Sequence, residues 1–117
     1  MNQHKDIKNF LKKIIQDLND LKAIDIKFID IKNRSALGDF LIIVTGNSTR
    51  HINAIATKII ENYKKKVISV EGLKSTEWVI VDFGDIILNV FKQDAREHFS
   101  LEKIWQPDLE DEKISFG

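Results

Sequence analysis

Apolar residues at the start of the chain recur at helical spacing. Ile7, Phe10, Leu11, Ile14, Leu18 and Leu21 fall three or four positions apart, with lysine and aspartate between them. This gives a helix over about 5–21 one apolar stripe. The period then changes. Ile24, Ile26 and Phe28 alternate with Asp25 and Lys27, which predicts a half-buried strand. Ile29 and Ile31 take the opposite parity around Asp30, so a bulge, a strand end or apolar contact on both faces is expected there. A polar connection leads to Phe40–Thr45, FLIIVT. A continuous apolar run of that kind suits a strand covered on both faces, often beside a parallel neighbour. Gly46-Asn47-Ser48-Thr49 breaks the run and opens a helix, with Asn47, Ser48 or Thr49 as its N-cap. Its stripe is Ile52, Ile55, Ala56, Ile59, Ile60 and Tyr63, and Lys64, Lys65 and Lys66 fall in its last turn, where cations suit the negative end of the dipole. Val67–Glu71 is a short strand stopped by Gly72, and a polar loop over 73–77 follows.

Two further apolar runs flank Gly84-Asp85 in WVIVDFGDIILNVF, residues 78–91. Glycine accepts the positive φ of a tight turn, so this reads as a hairpin with Phe83 opposite Ile86 and Trp78 opposite Phe91. Side chains alternate along each strand. One face then carries Val79, Val81, Phe83, Ile86, Leu88 and Val90, all apolar. The other carries Trp78, Ile80, Asp82, Ile87, Asn89 and Phe91. That mixed face is either incompletely covered by the chain itself or kept for a partner. A short helical turn over 93–98 and an apolar pair in 101–105 precede Pro107 and an acidic tail. The element order predicts an α/β fold: one domain over 1–105, with helices packed on a mixed sheet of about five strands, and a mobile tail over 106–117.

Composition narrows the function. At 117 residues the chain is one domain, and its 43% hydrophobic content is ordinary for a globular protein. Eighteen basic and eighteen acidic residues cancel, so no overall charge draws it to nucleic acid or to an anionic membrane. Without cysteine there are no disulfides and no thiolate metal sites. No apolar run approaches a membrane span, and the first residues lack a signal-peptide core. A cytoplasmic protein is expected.

Candidate chemistry is sparse. Gly46-Asn47-Ser48-Thr49 at the entry to the second helix, with Arg50 and His51 beside it, resembles an anion site but matches no phosphate-loop pattern, and capping explains Asn47 and Ser48. His4, His51 and His98 match no ligand spacing. Asp39, Asp82 and Asp85 could hold a hard cation, which would make the chain a metal-dependent nucleotide-binding enzyme or nucleotidyltransferase. Aspartates beside a tight turn are more simply explained by the turn. Trp78 stands out, because tryptophan is a favoured interface anchor.

An ordered set of residues adds to this reading. Asp39-Phe40 leading into Val44-Thr45-Gly46-Asn47-Ser48, then Arg50-His51 and Ala54-Ile55-Ala56, resembles the signature of the ribosomal silencing factor family, also called the Iojap family. Glu71-Gly72, Trp78-Val79, Asp82, Gly84-Asp85, Val90-Phe91, Arg96, Leu101-Glu102 and Trp105 extend the resemblance over about 5–105. It implies a translation repressor without enzymatic activity or cofactor. Such a protein would bind the large ribosomal subunit through ribosomal protein L-fourteen and sterically block joining of the small subunit when nutrients are scarce. It also implies a nucleotidyltransferase-like sheet domain lacking the paired catalytic carboxylates, and a tendency to homodimerise. The mixed face of Trp78, Ile80, Asp82, Ile87, Asn89 and Phe91 would then form the partner surface, with Glu71 and Lys74 at its rim. No membrane and no sequence-specific nucleic acid is expected as partner. Two residues depart from the family pattern: Asn89 stands where a histidine is usual, and Phe99 where a tyrosine is usual.

Overall fold

The apolar run at Phe40–Gly46 forms β2, and the rest of the sheet is arranged around it. In the computed structural model, which describes residues 3–31, 38–73 and 77–94, every β2 residue is buried. The elements follow in the order α1 (Gln3–Asp20), β1 (Ile24–Asp30), β2, α2 (Thr49–Asn62), a 3-10 turn (Lys64–Lys66), β3 (Ser69–Glu71), β4 (Trp78–Asp82) and β5 (Ile86–Lys92). They build one five-stranded sheet in the order β1-β2-β5-β4-β3. β2 runs parallel to β5, and the other three pairings are antiparallel. This is the expected mixed α/β sheet. The parallel neighbour of β2 is β5, so the α2 crossover carries the chain past two strands before the β3–β4–β5 meander returns it.

The hairpin has the register that the turn chemistry predicts. Gly84 takes φ +88°, Phe83 N–H donates to Ile86 O at 2.9 Å, and Trp78 lies opposite Phe91. The start of β2 buttresses the turn: the amides of Asp39 and Phe40 both donate to Asp85 O, at 2.7 and 3.0 Å. The parity switch in β1 is apolar contact on both faces: Ile26 and Phe28 pack on one core and Ile29 and Ile31 on the other, in regular register with β2, while the bulge lies earlier, between Ile24 and Lys27, with Asp25 at φ +49°.

The larger core lies on one side of the sheet. Ile7, Leu11, Ile14 and Leu18 of α1 and Ile52, Ile55, Ala56 and Ile59 of α2 pack there against Val79, Val81, Phe83, Ile86, Leu88 and Val90. α2 ends earlier than its sequence suggests. Tyr63 leaves helical geometry at φ −127°, ψ 36°, and its hydroxyl donates to Asp17 Oδ2 on α1, so the three lysines form a separate 3-10 turn. Lys66 Nζ rests 5.0 Å from the centre of the Phe10 ring. Phe10 in turn packs edge-on against Tyr63 and Phe83, at centroid distances of 5.1 and 5.3 Å.

Two helix ends meet at His51. α1 closes with Lys22 at φ +64°, Ala23 N–H donating to Leu18 O and Lys22 N–H to Asn19 O, each at 3.0 Å. This double bond pattern satisfies the last carbonyls of the helix. Of the three N-cap candidates, Ser48 caps α2 by accepting from His51 N–H at 3.0 Å. The His51 ring accepts Asn47 N–H at Nδ1, which leaves the proton on Nε2, and Nε2 donates to Leu21 O; both bonds are 3.0 Å. One imidazole thus joins the C-terminus of α1 to the N-terminus of α2.

Candidate partner-binding face of the sheet

The other side of the sheet carries a smaller cluster. Ile29 and Ile31, with Leu41 and Ile43 of β2, form its floor beside Ile87 and Phe91, and Trp78 and Ile80 pack on it half-buried. Strand alternation puts Trp78, Ile80, Asp82, Ile87, Asn89 and Phe91 here, as the hairpin register requires. β3 adds Ser69 opposite Asp82 and Glu71 opposite Ile80, both exposed. Glu71 therefore lies at the edge of this face, and Ser69 joins it there. Lys74 lies outside the described residues.

Burial divides the six. Phe91 has no exposed surface, Asn89 is 2% exposed and Ile87 8%. Of the six residues expected to form the partner surface, these three expose little area. β5 is an inner strand flanked by β2 and β4, so its side chains serve as support. Trp78, Ile80 and Asp82 on β4 retain surface, because only the three-residue β3 lies outside them.

The supports fix the tryptophan. Its indole stacks on Phe91 at a centroid distance of 4.8 Å and an interplanar angle of 22°. The indole N–H donates to Asn89 Oδ1 at 3.0 Å, and Asn89 Nδ2 makes a longer 3.4 Å contact to Ile42 O. Gly72 lies close against the backbone of the same strand. At φ +80°, an added Cβ would sit 2.2 Å from Trp78 O, so only glycine lets the β3–β4 connection pass this close. The sequence shows Gly72 as a strand stop, whereas its contact with Trp78 depends on the fold.

The carboxylates have a local explanation. Asp82 Oδ1 accepts the Gly84 amide at 2.7 Å, which closes the turn. Among the described residues no three His, Asp or Glu side chains gather into a group able to hold a metal, so Asp39, Asp82 and Asp85 do not form the cation site that their types allow. His51 is committed to the helix junction. His98, Arg96, Phe99, Leu101, Glu102 and Trp105, with the predicted turn over 93–98 beyond Asp94 and the acidic tail, lie outside the described residues.

With this geometry established, comparison with known proteins is decisive. The model of the family described as "Ribosomal silencing factor during starvation" matches residues 4–116. The chain belongs to the ribosomal silencing factor family. Relatives include the ribosomal silencing factor of Haemophilus influenzae, 36% identical over 95 residues covering 79% of this chain and 93% of the relative. That of Bacillus subtilis is 36% identical over 101 residues, covering 84% and 86%. A crystal structure of a Chromobacterium violaceum protein superposes with a TM-score of 0.80 at 30% identity, covering 86% of each chain. Membership in the ribosomal silencing factor family places the chain among ribosome-associated translation regulators. Among the described residues no helix is long and apolar enough to cross a membrane.

Proposed function

We propose that this chain represses translation by binding the large ribosomal subunit through ribosomal protein L-fourteen and sterically blocking association with the small subunit, without catalysis. Ribosomal silencing factor membership supports the ribosomal partner. One structural observation supports the contact surface: a half-buried tryptophan, held by stacking and by a hydrogen bond on buried supports, at a thinly covered margin of the sheet. A rigid, partly desolvated tryptophan loses little entropy when a partner covers it. In this reading Trp78, Ile80 and Asp82 make the contact, with Glu71 and Lys74 at the rim, while Ile87, Asn89 and Phe91 hold the surface in shape. The carboxylates of Asp82 and Glu71 suit a basic patch on the partner. The protein acts in the cytoplasm, and self-association through this face would compete with the ribosome.

Co-sedimentation with purified large subunits, with and without small subunits, tests the proposal. Large-subunit binding that reduces the yield of joined ribosomes is the expected result. Trp78→Ala should weaken binding by at least ~2 kcal/mol, roughly thirtyfold, if the indole is the anchor. Full affinity in a folded Trp78→Ala protein would remove this face from the interface. No large-subunit binding at all would end the silencing reading for this chain.

A further inference from the structure

The formal charges of this chain cancel in sum but not in space. α1, α2 and the 3-10 turn carry nine basic and four acidic residues. The five strands carry two basic and four acidic ones. Both helices pack on the larger core, on the opposite side of the sheet from Trp78. The positive excess is therefore gathered on the helical side, while Glu71 and Asp82 stand on the Trp78 side.

Part of that excess collects where α1 meets the 3-10 turn. Lys64, Lys65 and Lys66 are all exposed. They do not serve the dipole of α2, because that helix ends at Asn62. Phe10 of α1 touches the turn through Lys66 Nζ, 5.0 Å from its ring centre, and Asp17 touches it through the Tyr63 hydroxyl. Lys13 lies between these two on α1, three positions after Phe10 and four before Asp17, so it faces the same way. It too is exposed. The neighbouring acids are Asp17 and Glu61. Asp17 Oδ2 accepts from Tyr63 and, at 3.4 Å, from Asn62 Nδ2. Among the described residues no carboxylate pairs with Lys13, Lys64 or Lys65. Four ammonium groups beside two carboxylates leave a positive surface.

Lysine is a compact point charge without a planar fork, and it meets phosphate without reading sequence. An anionic lipid surface would also call for an apolar face free to insert, whereas Phe10 and Tyr63 are packed against the larger core. We infer that Lys13, Lys64, Lys65 and Lys66 form a contact surface for the phosphate backbone of RNA. The choice of RNA rests on the large-subunit reading above. The chain then meets protein with its Trp78 side and RNA with its helical side.

Co-sedimentation with large subunits over a range of potassium chloride concentrations tests this, beside anisotropy of a fluorescein-labelled oligouridylate titrated with the full chain. Lys13→Gln, Lys64→Gln and Lys65→Gln are combined, and Lys66 is kept because it packs on Phe10. A lysine on a phosphate adds roughly one to the slope of log affinity against log salt, so the triple variant should lower that slope by about two to three. It should also lose most oligouridylate binding. Lys22→Gln, Lys27→Gln and Lys92→Gln together make the same charge change elsewhere and should preserve both. Trp78→Ala should weaken large-subunit binding at an unchanged slope. Large-subunit binding with the original slope in the triple variant would overturn the inference and leave the silencing reading standing. So would absence of oligouridylate binding, an equal loss in the control variant, or binding to phosphatidylserine vesicles in place of oligouridylate. If large subunits are not bound at all, the silencing reading falls and the oligouridylate titration decides the patch.

Discussion

The indole N–H of Trp78 donates to Asn89 Oδ1 across the β4–β5 ladder at 3.0 Å, while the same ring stacks on Phe91. The two residues are directly linked, yet one retains surface and the other is 2% exposed. Asn89 therefore helps set the orientation of the half-buried Trp78 ring. Asn89→Leu keeps similar volume and removes the acceptor. Loss of this hydrogen bond should cost about 1 kcal/mol of stability. It should also weaken large-subunit binding, because the ring is no longer fixed. In a Trp105→Phe background, which leaves Trp78 as the single tryptophan, fluorescence anisotropy decay should show a freer indole. Unchanged anisotropy would show that stacking on Phe91 alone orients the ring.

His51 predicts a second effect. Its ring satisfies the Asn47 amide and the Leu21 carbonyl together, each at 3.0 Å. His51→Ala removes both partners at once and leaves two helix-end groups to water. The expected loss is ~1–3 kcal/mol, read as a lower urea midpoint at constant m-value. Hydrogen exchange at the Asn47 amide should accelerate more than exchange at Ile59, deep in α2. A uniform rise in exchange would show that the junction has no local role.

Much of this architecture is legible in the sequence, because local chemistry and burial agree there. The helix stripes, the fully apolar β2 and the Gly84-Asp85 turn each follow from period or from φ preference, and the register of the hairpin follows from the turn. What the sequence could not show depends on contacts between distant residues. Leu21 and His51 are thirty positions apart, and nothing in either segment announces the bond. The burial of Ile87, Asn89 and Phe91 was likewise hidden. Alternation gives the face a side chain takes, but only the strand order β1-β2-β5-β4-β3 reveals that β5 is interior. The mixed hairpin face thus resolves into a buried half that supports and a half-buried margin that remains available.

Lys22 offers a stabilising change. It closes α1 in the left-handed region at φ +64°, where a Cβ is strained and glycine is preferred. Lys22 is exposed, so little packing is lost on substitution. Lys22→Gly should raise unfolding free energy by ~0.5–1 kcal/mol, with large-subunit binding unchanged because the residue lies at the end of α1, away from the Trp78 face. A fall in stability would mean that the lysine stem contributes more than the backbone strain costs.

Tyr63 predicts how stability responds to alkali. Burial raises its phenol pKa well above the usual value, and the hydrogen bond to Asp17 and the charge of that carboxylate raise it further. The neutral phenol is therefore favoured in the folded chain. An unfolded tyrosine ionises near ~10. Below that pH both states hold the proton, and the stabilisation is fully present. As pH rises above ~10 the unfolded state gives up its proton while the folded state keeps it, so unfolding becomes progressively easier. Tyr63→Phe should cost about 1–2 kcal/mol at neutral pH through loss of a hydrogen bond to a charged acceptor. That difference from the unmutated chain should shrink as pH is raised from about 9 towards 11, because only the tyrosine form loses stability by this route. Lysine titration affects both proteins and cancels in the comparison. Tyr63 is the single tyrosine of the chain, so the growth of tyrosinate absorbance reports the same event: it should lag well behind that of a model phenol until the protein unfolds. A constant stability difference across that range, with tyrosinate forming near ~10 in the folded protein, would show that the Asp17 contact does not hold the phenol neutral.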